Sequence, residues 1–193
     1  MAPTLPRARP QGHRLVYMGS YMPYKNVDTL VRAVAALPDH ELHLASRISR
    51  DERARLTRLA PQARLVFHDG VTDAEYAELL AGATALVHAS RAEGFGIPLV
   101  EAMRLGTPVV VSDIPIFREI GGDAALFFDP DNPESLVAAL WSLEREGEWE
   151  RRSAASVDVA ARYNWAASAE KLLEVMRRTV APGTRRRRAG RRR

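Results

Sequence analysis

His88-Ala-Ser-Arg-Ala-Glu-Gly-Phe-Gly-Ile-Pro-Leu-Val-Glu-Ala-Met103 decides how the rest of the chain is read. The apolar run Ala85-Leu86-Val87-His88 enters it as a strand and breaks at the turn Gly94-Phe95-Gly96. A helix then restarts with Pro98 in its first turn, where a missing N–H costs nothing. Strand, glycine turn and helix start are how an α/β domain builds an anion site. Glycine lets a ligand approach the backbone, and the first helical N–H groups, here around Ile97 to Val100, face negative charge with the helix dipole behind them. Glu93 and Glu101 bracket the turn. A carboxylate repels a bare phosphate, so both are read as acceptors for hydroxyl groups. An anion cradle flanked by hydroxyl acceptors suits a sugar nucleotide.

The remainder of the chain agrees with an α/β reading. Its 193 residues are enough for one medium domain with a sizeable core. There are no cysteines, which excludes a disulfide scaffold and thiolate metal sites and fits a cytoplasmic setting. No apolar run is long enough to cross a membrane. The net charge of +4 comes from the end of the chain. Arg185 to Arg193 holds seven of the 28 basic residues, leaving 21 against 24 acidic ones elsewhere. A mildly acidic body argues against specific nucleic-acid binding. The arginine run itself is a solvated tail that could touch an anionic membrane surface at the inner face, weakly and in a salt-dependent way.

Working outward, Arg14–Met18, Glu41–Ala45, Arg64–His68, Pro108–Ser112 and Ala125–Phe128 read as further strands. Helices are expected from Lys25 to about Leu37, after the capping sequences Ser49-Arg-Asp-Glu52 and Thr72-Asp-Ala-Glu75, near Ile116 to Ile120, and after Asn132-Pro133. That last helix carries Leu136, Val137, Leu140 and Trp141 on one face. Two more follow, Trp149–Ala161 and Trp165 to about Val180, the second with Ala169, Leu172, Leu173 and Met176 expected to face inward. Alternation at this spacing means right-handed βαβ units and a doubly wound, Rossmann-like parallel sheet, with the site at the carboxyl ends of the strands. Residues 1–12 read as a disordered leader, 13–182 as the nucleotide-sugar-binding domain and 183–193 as the arginine tail.

Glu93-Gly-Phe-Gly-Ile-Pro-Leu-Val-Glu101-Ala-Met, followed by Gly106-Thr-Pro-Val-Val-Val-Ser-Asp113, resembles the E-x7-E signature of retaining glycosyltransferases of the GT-B fold, above all glycosyltransferase family 4. The resemblance spans about residues 14–180 and covers the C-terminal, donor-binding half of such an enzyme. It implies transfer of a hexose, mannose or glucose, from a nucleoside-diphosphate sugar with retention of configuration. Glu93 would then hold hexose hydroxyls near the anomeric carbon and Glu101 the ribose hydroxyls. Gly94, Phe95, Gly96, Ile97, Pro98 and Leu99 would form the diphosphate cradle.

The first βα turn, Met18-Gly-Ser-Tyr-Met-Pro-Tyr-Lys-Asn-Val-Asp28, resembles the family's G-R-x4-K-G turn. Lys25 matches the lysine that grips the diphosphate. Ser20 stands in place of the arginine and Asn26 in place of the glycine, and Arg91 or Arg47 could supply the missing guanidinium. Val71, in Phe67-His-Asp-Gly-Val-Thr72, occupies the turn whose backbone meets the nucleotide base, and His68 and His88 close strands at the same edge. Asp129-Pro-Asp131 is turn chemistry ahead of a helix start, so neither metal nor other cofactor is expected. No G-x-S-x-G, P-loop or G-x-G-x-x-G pattern supports a hydrolase, kinase or dehydrogenase. The acceptor half is expected from a missing N-terminal domain or a partner chain. Two other readings stay open, a non-catalytic nucleotide- or partner-binding module and half of a GT-B sugar-nucleotide epimerase.

Overall fold

A computed structural model of the chain describes residues 8–180. Six strands, β1 (His13–Tyr17), β2 (His40–Leu44), β3 (Leu65–Phe67), β4 (Ala85–His88), β5 (Val109–Ser112) and β6 (Leu126–Phe128), form one sheet in the order β3-β2-β1-β4-β5-β6. Every pairing is parallel. The chain winds outward from β1 to β3, then crosses back to lay β4 beside β1. This is the doubly wound Rossmann-like arrangement expected from the sequence, and its crevice opens at the β1/β4 switch point.

The helices are α1 (Val27–Ala35), α2 (Arg50–Leu59), α3 (Asp73–Ala81), α4 (Ile97–Arg104), α5 (Pro115–Gly121), α6 (Pro133–Leu143), α7 (Glu148–Ala160) and α8 (Trp165–Val180). Covered on both faces, the central strands lose their polar alternation, and Ala85 to His88 and Val109 to Ser112 are buried throughout. Leu15, Leu30, Leu42, Val87 and Leu140 belong to the same core cluster. Trp149 of α7 is wedged beneath the sheet and donates its indole N–H to the Thr84 carbonyl at 2.8 Å. The Thr72 capping box closes reciprocally with Glu75. At α2 only half of the motif forms. Ser49 accepts from the Glu52 N–H, while the Glu52 carboxylate turns to Arg55.

Two expected faces differ. Trp141 is 59% exposed. The buried residues of α6 are Leu136, Val137, Leu140 and Leu143, and at about 100° per residue position 141 lies past the edge of their arc. Leu172, Leu173 and Met176 of α8 are exposed rather than inward-facing. Residues up to Arg162 form one compact unit and α8 belongs to a second. The leader is described from Ala8 onward, where Arg9 ion-pairs with Glu144 at 3.1 Å. The arginine tail lies outside the described residues.

The helix expected from Lys25 begins at Val27, because Pro23–Lys25 is a separate 3-10 turn ended by Asn26 in the left-handed conformation, φ 54° and ψ 41°. Asn26 is the one non-glycine residue with positive φ among the described residues. Asparagine tolerates that region because its short amide finds local partners. Here its Nδ2 donates to the Pro130 carbonyl at 2.7 Å, and its Oδ1 accepts from the Thr29 hydroxyl at 3.2 Å. Asn26→Ala should therefore destabilise the fold by about 2–4 kcal/mol, combining left-handed strain with a broken buried hydrogen bond. Asn26→Gly, which keeps the conformation and removes only the two side-chain hydrogen bonds, should cost about 1–2 kcal/mol. Urea unfolding of the two variants checks this, and equal losses would contradict it.

Candidate functional site

The site is assembled where the first and fourth βα turns meet. Lys25 ends the 3-10 turn after β1, and Glu93 lies in the loop after β4. Since β1 and β4 are paired neighbours, these residues, 68 positions apart, come together with Lys25 Nζ 2.6 Å from Glu93 Oε1. Their side chains are only 14% and 12% exposed. Ser90 donates its hydroxyl to the same carboxylate oxygen at 2.7 Å, and the Ser112 hydroxyl holds the Ser90 carbonyl. The pair therefore sits in fixed geometry at the mouth of the crevice. The sequence reading missed Ser90, although its spacing three residues before Glu93 was the available signal.

Gly96 is the N-cap of α4 at φ 98°, a backbone state that disfavours any side chain, and a Cβ there would approach the Phe117 ring to 2.9 Å. Close packing and positive φ thus both require glycine at the head of α4. Of the residues read as the diphosphate cradle, Gly94, Phe95 and Ile97 are exposed at this end of the sheet, with Gly96 and Pro98 half-buried between them. Leu99 plays a different part. Its side chain is fully buried, and its N–H returns to the Gly96 carbonyl at 3.0 Å.

Glu101, one turn into α4, faces α3. Partial burial and the nearby Asp73 raise its carboxyl above the usual range. A carboxylate in that state gains from hydroxyl donors. Val71 lies ahead of α3 and lines an open cleft of about 530 Å³ with Gly70, Glu75 and Glu78. Ser20 is exposed after β1, and its carbonyl accepts from the Tyr17 hydroxyl at 2.5 Å. Arg91 is engaged by the Asp129–Asp131 turn, with Nη2 2.6 Å and Nε 3.1 Å from Asp131 Oδ1. Its backbone N–H donates to the Tyr24 carbonyl at 2.8 Å, which ties the two turns together a second time. The structure therefore gives Arg91 a bracing contact. Within the turn, Asp131 N–H donates to Asp129 Oδ1 at 2.9 Å. Arg47 lies after β2 with its aliphatic stem against Gly70.

His68 lines the same cleft as Val71 and also belongs to a chain of contacts, its Nε2 3.0 Å from His43 Nδ1, with His43 Nε2 3.1 Å from Glu41. His88 lies directly under Lys25 and Glu93, 2% exposed, between the rings of Tyr17 and Phe117. Burial pushes its imidazole down to about 4, against the opposing pull of Glu93. His88 is thus a neutral floor of the site at physiological pH.

Residues 7–157 match the glycosyl transferases group 1 family. The chain belongs to it. The chain is 33% identical over 133 residues to an O-antigen chain mannosyltransferase of Salmonella typhimurium, covering 66% of this chain and 37% of that protein. It is 32% identical over 187 residues to the phosphatidyl-myo-inositol mannosyltransferase of Mycobacterium tuberculosis, covering 90% and 49%. The chain thus spans less than half the length of these curated relatives. Among solved structures, the catalytic domain of cholesterol-alpha-glucosyltransferase from Helicobacter pylori superposes with a TM-score of 0.71 at 27% identity, covering 80% of this chain and all of that one. The structural neighbours of this chain are GT-B glycosyltransferases, and its own six-stranded parallel sheet is Rossmann-like.

The buried neutral state of His88 has a measurable consequence for the stability of this chain. In the unfolded chain a histidine protonates near 6.5, whereas the folded site resists until about 4. The unfolded state binds the proton first, so stability falls as pH drops through this window. Relative to His88→Leu, the native chain should lose about 3 kcal/mol between pH 7 and 4. Urea unfolding at several pH values checks this. A difference independent of pH would contradict the neutral floor.

Proposed function

We propose that this chain is the donor-binding domain of a retaining, family 4 hexosyltransferase acting on a nucleoside-diphosphate sugar. The observation that carries the reading is the buried Lys25–Glu93 pair set against the glycine-capped start of α4. A cation, a carboxylate able to accept from hydroxyls and a helix start beside one crevice support the reading. Breaking the anomeric bond develops negative charge on the departing diphosphate. Lys25 and the N–H groups from Gly94 to Ile97 stabilise that charge, which is electrostatic catalysis of leaving-group departure. Glu93, fixed by Ser90, accepts from hexose hydroxyls beside the anomeric carbon. Glu101 accepts from the ribose hydroxyls, and the backbone at Val71 meets the base. With Ser20 in place of the family arginine, Lys25 and the helix start carry the diphosphate charge.

Mannose is favoured as the transferred sugar because both curated relatives named above are mannosyltransferases. The acceptor is bound by a second Rossmann-like domain or a partner chain, since every motif found here addresses the donor. The protein works in the cytoplasm, with the arginine tail giving a weak contact to the inner membrane face. Among the described residues no helix is long and apolar enough to cross a membrane.

Calorimetric titration with GDP, UDP and ADP tests the site. One of them should bind, and Glu101→Ala should weaken it by about 1.5–3 kcal/mol, the scale of a charged hydrogen bond. Lys25→Ala should weaken it comparably, and EDTA should leave the affinity unchanged. Equal affinity in native and Glu101→Ala protein, or binding that collapses with EDTA and returns with manganese, would overturn the assignment. With radiolabelled sugar nucleotides and a panel of lipid and glycan acceptors, the chain by itself should yield no glycosylated product. Orienting the second substrate is worth about 7–11 kcal/mol of barrier. Turnover by the solitary chain would show that the donor half suffices.

A further inference from the structure

At the opposite end of the sheet from the crevice, three metal-binding side chains converge without any role in donor binding. His13 and His40 are the first residues of β1 and β2 and stand in register across the parallel pair. In-register neighbours on adjacent strands lie about 4.8 Å apart and project to the same side. Their ring centroids are accordingly 4.6 Å apart. Glu144, the C-cap of α6, completes the group, with Oε1 2.7 Å from His13 Nδ1 and 3.4 Å from His40 Nε2. The three donor atoms all fall within 4.8 Å of one another.

We propose that His13, His40 and Glu144 form a binding site for a divalent transition-metal cation of the zinc class. Three ligands at bond lengths of about 2.0–2.1 Å around a tetrahedral ion sit roughly 3.3–3.4 Å from each other. The observed separations bracket that spacing, so metal entry needs only small side-chain adjustments. Two imidazoles and one carboxylate suit zinc, cobalt, nickel or copper, whereas calcium and magnesium require all-oxygen shells. His40 is 5% exposed at its side chain, so one ligand is held in place by the packing around the start of β2. His13 and Glu144 are 35% and 27% exposed, which leaves an entry path and a fourth position for water.

The site also has a built-in competitor. Arg9 Nη2 lies 3.1 Å from Glu144 Oε1 and 3.4 Å from His13 Nδ1, so its guanidinium occupies the charge position a metal ion would take. Metal and Arg9 exclude each other. Binding would exchange a contact from the segment ahead of β1 for a clamp joining the starts of β1 and β2 to the end of α6. This role is structural or regulatory and independent of the donor site.

The test is titration of the full chain, freed of metal with EDTA, with zinc chloride. One zinc ion per chain should bind saturably and raise the unfolding temperature by a few degrees. Cobalt(II) should give the visible absorption of a four-coordinate site. His40 is buried, so substitutions are placed at the half-exposed ligands. His13→Gln and Glu144→Gln should each weaken zinc about tenfold or more, and the pair together should abolish the cobalt spectrum. Arg9→Ala should tighten zinc binding by removing the competitor. Circular dichroism confirms that the variants are folded. Absence of saturable zinc uptake by the native chain would overturn the proposal. So would undiminished uptake in the folded His13→Gln/Glu144→Gln variant, which would place the ion elsewhere, for example at His43 and His68.

Discussion

The pairing of β1 with β4 is the constraint on which the site depends. It places the carboxyl ends of the two strands side by side, and with them the turns carrying Lys25 and Glu93. A lysine and a glutamate 68 residues apart would gain little from each other in solvent. At the switch point they meet at 2.6 Å with little exposure, where the effective dielectric is low enough for the contact to matter. Removing either partner there would strand a charge against a buried histidine. The pair is therefore both a stability element and a polarity element of the crevice, which is a frequent tension at functional sites.

Around this contact the two turns are secured by backbone geometry more than by further charge. Asn26 locks the end of the first turn in a left-handed state and anchors it to the loop before α6 through Pro130. Arg91 braces the second turn, giving its N–H to Tyr24 and its guanidinium to Asp131. Gly96 then releases the chain into α4 against Phe117. Loops held in this way lose little entropy when a ligand arrives, and preorganisation of that kind favours affinity.

The departure from the family pattern at positions 20 and 26 has a physical reading. Where the related turn has glycine after its lysine, this chain has asparagine. The structure shows that the position requires positive φ, which only glycine and asparagine adopt readily. Asn26 keeps the conformation and adds a tether that glycine lacks. Ser20 is different, because its hydroxyl cannot make the bidentate contact that a guanidinium makes. Of the two candidates read from the sequence, Arg91 is paired with Asp131 and Arg47 packs its stem against Gly70.

By itself the sequence determined the fold class and the local geometry of the glycine turn ahead of α4. Apolar runs without polar alternation imply strands covered on both faces, and glycine and proline at a strand-to-helix junction fix local backbone geometry without help from distant residues. The E-x7-E spacing is local for the same reason. What tertiary structure decided is everything that depends on strand order and on which helix face is covered. The meeting of Lys25 with Glu93, the diversion of Arg91, the exposure of Trp141 and of the apolar residues of α8, and the convergence of His13, His40 and Glu144 join residues far apart in sequence. Periodicity reports that a helix has an apolar face but not what lies opposite it. Only the register of the assembled sheet says which side chains share a neighbourhood.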